Sequence, residues 1–252
     1  MEVLPIHSSI KRDCFDLFES LIVSGLEFKD RDIIVISSKF VSMSQGAVLN
    51  LNKIKISKKA RILASAYHMD PRVAEITLRE SDYVFNGVPG FLLTIKDGMI
   101  APNAGIDKSN VPAGFIILYP DDPFKVAENL RLKFLIYQNV RVGIVIADSR
   151  LMPTRIGTVG VAIASSGFEP VEDQRGRKDL FGNVLRVTLK AVADSLATIG
   201  VAIMGEGNES IPAVIVRGFK VTITDRKISS YDTGIDPDQD IYIRGLRKPD
   251  PL

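Results

Sequence analysis

Three short segments of the 252-residue chain collect side chains able to hold a phosphate or a cation. The first is Asn103-Ala104-Gly105-Ile106-Asp107, followed by Ser109-Asn110. Gly105 permits a tight backbone, and Asn103, Asp107 and Asn110 bring carboxylate and amide groups within a few residues. A turn stabilised by Asx hydrogen bonds has the same composition. The second is Asp148-Ser149, directly after an apolar run ending at Ala147. A carboxylate then a hydroxyl, at the mouth of a buried strand, suits Mg²⁺ or Mn²⁺ bound with phosphate, and an Asp there equally caps a following helix. The third, Met204-Gly205-Glu206-Gly207-Asn208-Glu209-Ser210, sets two glycines beside two carboxylates. Such a loop lets backbone approach a phosphate or a base while Glu206 reaches a cation; a helix C-cap and an exposed loop give the same letters.

What the chain lacks narrows the chemistry. A single Cys14 and only His7 and His68 rule out an intramolecular disulfide, a cysteine-built zinc site and a multi-histidine centre. Any metal therefore sits on oxygen ligands, which favours Mg²⁺, Mn²⁺ or Ca²⁺. No G-x-x-x-x-G-K-[ST] loop occurs, so an ordinary P-loop NTPase is excluded. Charged residues make up 25% and the net charge is +2, a balance that gives no sign of an electrostatic nucleic-acid binder and leaves room only for a local basic patch. The start carries Glu2 and Pro5 without a signal-peptide run, and the other apolar runs stop short of a membrane span. A soluble, cytoplasmic protein without membrane partners is expected.

These segments need elements to position them. Asp32–Ser37 reads as a buried strand followed at once by the polar Ser38-Lys39. Residues 57–82 look helical, with Pro71 at a helix start, and Phe115–Tyr119 reads as a strand. Asp121-Asp122-Pro123 forms a helix entry with Val126, Leu130 and Phe134 on one face. Leu185, Leu189, Val192, Leu196 and Ile199 fall at helical steps, and Val214–Val216 and Lys220–Thr224 read as closing strands. Val142–Ser149, Val159–Gly167 and Ile199–Gly207 share one grammar, an apolar run leading into small residues. That grammar fits repeated buried strands, or strand ends converging on a ligand.

Together these residues resemble the coenzyme F-420:L-glutamate ligase family. The resemblance is carried by Asn103–Asp107 with Asn110, by Asp148-Ser149 with Pro153–Ile163, and by Asp173–Gly176 with Asp179–Gly182. It continues through Val187-Thr188, Ala191–Ala197, Met204-Gly205 and Val216-Arg217-Gly218, in order along nearly the whole chain. The resemblance implies an α+β fold of intertwined mixed sheets with flanking helices, unlike P-loop or ATP-grasp ligases. It implies one catalytic unit over 1–252, with a Pro- and Asp-rich tail at 226–252, working as a homodimer. The implied reaction is GTP-dependent addition of L-glutamate to the deazaflavin precursor through an acyl phosphate, forming an amide and then a γ-glutamyl bond. Two divalent cations, Mn²⁺ or Mg²⁺, and K⁺ go with it.

Carried over by position, Asp107 and Asp148 match the catalytic carboxylates of one metal site, and Ser149 matches a hydroxyl ligand of a second. Glu206 falls where the family often has Gln at that second metal. Ser9, Ile10, Lys11 and Arg12, then Ser38 and Lys39, then Asn110, align with GTP-contacting positions. So do Met204, Gly205, Glu206, Gly207, Asn208, Glu209, Ser210 and Ile211. The chain departs from the family at Val41-Ser42-Met43-Ser44-Gln45-Gly46, where Met43 replaces a nucleotide-contacting lysine, and at the less glycine-rich Ala164-Ser165-Ser166-Gly167. Two alternatives stay open: a divergent ligase acting on another small carboxylate, and a non-catalytic GTP-binding relative. The retained Asp107, Asp148 and Glu206 argue against the second.

Overall fold

The most apolar runs of the chain form the middle of a five-stranded mixed sheet. The computed structural model describes residues 1–11, 13–236 and 238–246. The chain runs through β1 (Glu2–Ile6), α1 (Leu17–Ile22), β2 (Ile33–Ser37), α2 (Ser38–Ser44), β3 (Val48–Asn50), α3 (Lys58–Ala66), α4 (Pro71–Glu80), β4 (Tyr83–Val88), β5 (Phe91–Lys96), β6 (Met99–Pro102) and β7 (Phe115–Ile117). It continues through α5 (Pro123–Lys133), β8 (Gly143–Leu151), β9 (Thr158–Ser166), β10 (Val171–Asp173), β11 (Leu189–Ala191), α6 (Val192–Met204), β12 (Ala213–Arg217) and α7 (Ile241–Gly245).

The main sheet has the order β1-β12-β2-β8-β9, with β2 and β8 parallel and the other pairs antiparallel. The centre of this sheet is covered on both faces, which is why β2 and β8 are continuous Ile/Val runs rather than alternating ones. Ile34, Ile36, Ile144 and Ile146 pack with Phe18, Leu21, Leu130 and Phe134 of the α1/α5 side. Ile33, Val35 and Val145 pack with Leu196 and Ala197 of α6 on the other side. The small sheet β3-β7 packs with α4 around a satellite core of Leu51, Val73, Ile76 and Ile116, α3 packs on α4 through Ala60, Ala64 and Ala74, and β4-β5-β6 forms a third sheet. The expected α+β class is what the chain adopts.

Two features bring α6 onto the sheet. A Cβ at Gly160 would lie 2.3 Å from the Ala197 carbonyl oxygen, and one at Gly200 would lie 2.4 Å from the Val35 side chain. Only the bare backbone at these positions admits so close an approach. The register of β8 against β9 shifts between Ile146 and Ala147, and beside this bulge the Ala162 N–H donates to Asp194 Oδ1 of α6 at 2.9 Å. Burial pushes the Asp194 carboxyl above its ordinary range, against the pull of that hydrogen bond.

Pro71 and Pro123 occupy first turns capped by Asp70 and Asp122, as the sequence suggested. Elsewhere the chain differs from the sequence expectations. The helical region 57–82 is two helices separated at His68, whose φ is +48°. The strand read at 115–119 ends at Ile117. Leu185 and Leu189 precede α6 rather than belonging to it: β11 pairs with β10, and Lys178 bridges Val184, so residues 171–191 form a ribbon. Ile199–Gly207 is the end of a helix and its loop, not a third strand. Lys220–Thr224 makes only an isolated bridge, Ile223 to Phe168. Much of the 226–252 tail is covered, but Pro237 and residues 247–252 lie outside the described residues. Among the described residues no helix is long and apolar enough to cross a membrane.

Candidate active site

The parallel register pairs Ser37 of β2 with Ala147 of β8, so the next residues, Ser38 and Asp148, stand together beyond it. Ligand sites of α/β sheets collect at the carboxyl ends of parallel strands. Here the Ser38 hydroxyl donates to Asp148 Oδ1 at 2.8 Å, and Arg150 Nε donates to Asp148 Oδ2 at 3.0 Å. Arg150 shares a face with Asp148 because strand side chains alternate. It is buried, its Nη1 donates to the Ile100 carbonyl of β6 at 2.8 Å, and its guanidinium carbon lies 5.8 Å from the Tyr119 ring centre.

Asp107 arrives from another sheet. Asn103, Ala104 and Gly105 all take left-handed φ values, +49°, +56° and +71°. For the two non-glycine residues that conformation costs about 1–3 kcal/mol each and persists only where the surroundings enforce it. Enforcement comes from β5. The Asn103 amide accepts from Leu92 N–H at 2.9 Å and donates to the Gly90 carbonyl at 3.2 Å, and Ala104 N–H donates to Thr94 Oγ1 at 2.9 Å. Asn103 is thus occupied in shaping the turn. Beyond it, Asp107 exchanges both backbone hydrogen bonds with Ile117 of β7.

Lys39, on the first turn of α2, reaches Asp107 Oδ2 with Nζ at 2.7 Å and donates to Ser109 Oγ at 2.5 Å. Ser109 N–H donates to Asp107 Oδ1 at 2.6 Å. Burial pushes the Asp107 carboxyl up, but the bonds from Lys39 and Ser109 outweigh it and hold it below the ordinary carboxylate range.

The third carboxylate comes from the loop after α6. Glu206 Oε1 accepts from Ser149 Oγ at 2.5 Å and from Thr158 Oγ1 at 3.2 Å. Asn110 Nδ2 donates to the Gly207 carbonyl at 3.2 Å, and Glu209 folds back to accept the Gly207 N–H at 2.8 Å. Ser8 N–H donates to the Ser210 carbonyl and Ser37 N–H to that of Pro212. Residues 205–212 therefore link β8, the Asp107 turn, the end of β1 and the start of α2.

A cleft of about 280 Å³ opens among these elements, with Ser38, Lys39, Asp107, Asp148, Ser149, Arg150, Tyr119, Phe91 and Thr158 in its walls. Of the sequence-derived positions, Ser38, Lys39, Asp107, Asp148 and Ser149 line it; Glu206 reaches its margin through Ser149 and Thr158, whereas Asn110 bonds Gly207 and does not line it. The Met204 and Ile211 side chains join the apolar layer around α6, which leaves only their backbone for a ligand. Ile10 is exposed and Lys11 Nζ lies over the Phe15 ring at 5.3 Å; neither residue lines the cleft, nor does Ser9. Arg12 lies outside the described residues. Sequence reasoning missed Ser42, Tyr119, Arg150 and Thr158; the only available signal was Arg150, two residues after Asp148 on a strand. The buried Ser42 Oγ, Tyr119 Oη and Arg150 Nη2 have no hydrogen-bond partner among the described residues, and all three residues line the cleft. Burial pushes the Tyr119 hydroxyl well above its ordinary value.

No three carboxylate, thiol or imidazole groups among the described residues converge closely enough to hold an ion by themselves. A cation of the Mg²⁺ or Mn²⁺ kind takes one or two carboxylates and completes its shell with water and substrate phosphates. The donors present, Asp107, Asp148, Ser149 and Glu206, are all oxygens and suit such an ion.

The sequence profile of the F420-0:gamma-glutamyl ligase family matches residues 11–218. The chain belongs to this family. It is 39% identical over 221 residues to the coenzyme F420:L-glutamate ligase of Methanopyrus kandleri, covering 87% of each chain. The same-named proteins of Archaeoglobus fulgidus and Methanocaldococcus jannaschii are 38% and 37% identical, each over 88% of this chain and 89% of theirs. In this member of the ligase family Met43 follows Lys39 by four residues in α2, so the two share a helix face.

Proposed function

We propose that the protein is a GTP-dependent ligase that adds L-glutamate to the carboxylate of a deazaflavin precursor of coenzyme F420. The observation that carries this reading is the convergence of Asp107, Asp148 and Ser149 with Ser38 and Lys39 on one cleft, in a chain of this family. In the proposed reaction an acceptor carboxylate oxygen attacks the γ-phosphorus of GTP, GDP leaves, and an acyl phosphate forms. The glutamate amine then attacks the acyl carbon and expels phosphate, and a second round adds a γ-glutamyl bond.

Two anionic partners must meet in this chemistry, so charge neutralisation and alignment are the main tasks of the site. Divalent cations held by Asp107, Asp148, Ser149 and Glu206 would supply Lewis-acid neutralisation of the phosphates. Lys39, paired with Asp107, is placed to turn to a phosphate oxygen once the carboxylate is otherwise engaged. Asn110 and the 204–211 backbone would border the nucleotide. With Met43 in place of a lysine, one cation is missing beside Lys39, and GTP affinity should fall below that of relatives that keep it. The ribbon at 171–191 exposes Leu180 and Phe181 almost completely, a surface suited to a second copy in the proposed homodimer.

Incubation with GTP, Mn²⁺, L-glutamate and the deazaflavin precursor, with products weighed by mass spectrometry, tests the reading. Addition of one or two glutamyl masses supports it; GTP-independent or absent addition refutes it. Calorimetric titration with GTP and ATP at matched Mn²⁺ tests the base, and equal or tighter ATP binding would sink the guanine assignment. Sedimentation of Phe181→Glu tests the dimer: loss of a wild-type dimer is expected, and an unchanged dimer removes the ribbon from the interface.

A further inference from the structure

We infer that Arg150 is a positioning residue that makes Asp148 a one-oxygen ligand and thereby sets the site's preference for a small divalent cation over Ca²⁺. The inference rests on the proposed metal role of Asp148 and adds to it the part played by Arg150.

Both oxygens of Asp148 are held, but by unlike donors. Oδ1 accepts from the neutral Ser38 hydroxyl at 2.8 Å, whereas Oδ2 accepts from the Arg150 guanidinium at 3.0 Å. A charge-assisted hydrogen bond is roughly twice as strong as a neutral one, so Oδ2 is the oxygen whose electron density is already engaged. Oδ1 is left as the better donor to a cation.

Arg150 cannot easily move aside. It is 7% exposed, its Nη1 is fixed on the Ile100 carbonyl at 2.8 Å, and its guanidinium lies by the buried Tyr119 ring. Two elements besides its own strand therefore hold the fork in place. The carboxylate is pinned from both sides, and chelation through both oxygens would compete with a buried ion pair.

Denticity matters because the cations differ. Ca²⁺ takes 6–8 oxygen ligands in flexible geometry and accepts bidentate carboxylates, whereas Mg²⁺ demands near-octahedral geometry with single-oxygen ligands and retained water. A carboxylate restricted to one oxygen favours the smaller ion. Arg150 also carries a positive charge beside the site, which weakens every divalent cation in common. The two effects separate in the ratio of affinities: removing charge alone strengthens Mn²⁺ and Ca²⁺ alike, while freeing Oδ2 strengthens Ca²⁺ selectively.

The test uses the full-length protein with Mn²⁺ alone, free Mn²⁺ being counted by electron paramagnetic resonance, followed by displacement with Ca²⁺. Arg150→Met removes both fork and charge; Arg150→Lys keeps the charge and loses the fork. Both should lower the Ca²⁺ excess needed to displace half of the bound Mn²⁺ by about fivefold or more. Thermal melts identify variants that fold, and the lysine variant stands in if the methionine one does not. An unchanged ratio in a folded variant, or a change confined to the charge-removing variant, overturns the inference while leaving the metal reading intact. Absence of Mn²⁺ binding by the wild-type protein both with Mn²⁺ alone and with a non-hydrolysable GTP analogue present overturns the metal reading itself, and this inference with it.

Discussion

Replacing Gly160 with alanine should disturb the site from a distance, through the seat of α6. The added Cβ would sit 2.3 Å from the Ala197 carbonyl oxygen and 2.8 Å from the Thr198 nitrogen, where ordinary contact begins near 3.4 Å. The obstructing atoms are helix backbone, so relief requires α6 and β9 to part by about 1 Å, a change cores resist. Overpacking of this kind costs about 1–3 kcal/mol. At roughly 2–4 °C per kcal/mol for a chain of this size, the melting temperature should fall by about 2–12 °C. The displacement also falls on α6, whose carboxyl end leads directly into Glu206, and on β9, whose Thr158 donates to Glu206. Ligation should therefore drop at temperatures where the variant is still folded. The control is Gly245→Ala, where no described residue lies within 4 Å of the new methyl. Scanning calorimetry with a ligation assay decides the matter. A Gly160→Ala melting temperature within about 1 °C of wild type would refute the close-packing argument.

Asp148→Asn keeps the side chain's size but removes its charge, and ligation should fall on the order of 100-fold; wild-type turnover with unaltered metal dependence would exclude Asp148 as a ligand. Glu206→Ala should leave GTP binding by calorimetry largely intact while strongly reducing ligation, because the loss falls on the transition state; equal losses in both would make Glu206 a nucleotide contact only. Glu75 is drawn down to about 2 by the Ser57 hydroxyl and N–H and by Arg79. Its carboxylate therefore stabilises the fold above its ordinary value of ~4.3, and that contribution is lost as pH falls toward 2. Urea unfolding of Glu75→Gln should show a deficit at neutral pH that closes on acidification; a pH-independent deficit counts against the linkage.

The sequence was most readable where local chemistry and tertiary packing agree. Asp70-Pro71 and Asp122-Pro123 carry both a cap and a fixed first-turn φ, and both begin helices. The Ile/Val run of β2 has no other way to be buried. Periodicity failed where it was coincidental. Leu185 and Leu189 continue the spacing of α6 backwards, yet they sit in a ribbon whose path is set by pairing of Val171–Asp173 with Leu189–Ala191. The run Ile199–Met204 has the composition of a strand, but it is the last turn and a half of a helix that starts at Val192. In the site, acidic residues were legible because so few other groups could do the chemistry. Arg150 and Tyr119 were not, since their importance comes from burial and from contacts to Ile100 and to each other's elements, which only the fold brings together.

The three carboxylates also differ in how they are held, and the difference has consequences for the order of events. Asp107 is paired with Lys39, a flexible side chain whose head is a point charge with three donors. Asp148 is paired with Arg150, fixed by Ile100 and Tyr119. Glu206 is held by two neutral hydroxyls, those of Ser149 and Thr158. On the proposed reading Asp107 and Asp148 would hold a divalent cation beside the nucleotide, and of their partners Lys39 is the one whose ammonium can swing aside most easily. Turned from Asp107, that ammonium would meet a phosphate oxygen, so the charge that holds Asp107 would serve the substrate. The Arg150 pair stays, keeping one carboxylate oriented throughout. Glu206, which forms no ion pair among the described residues, would answer to a second ion or to the acceptor, consistent with a role that shows only when the reacting groups are assembled.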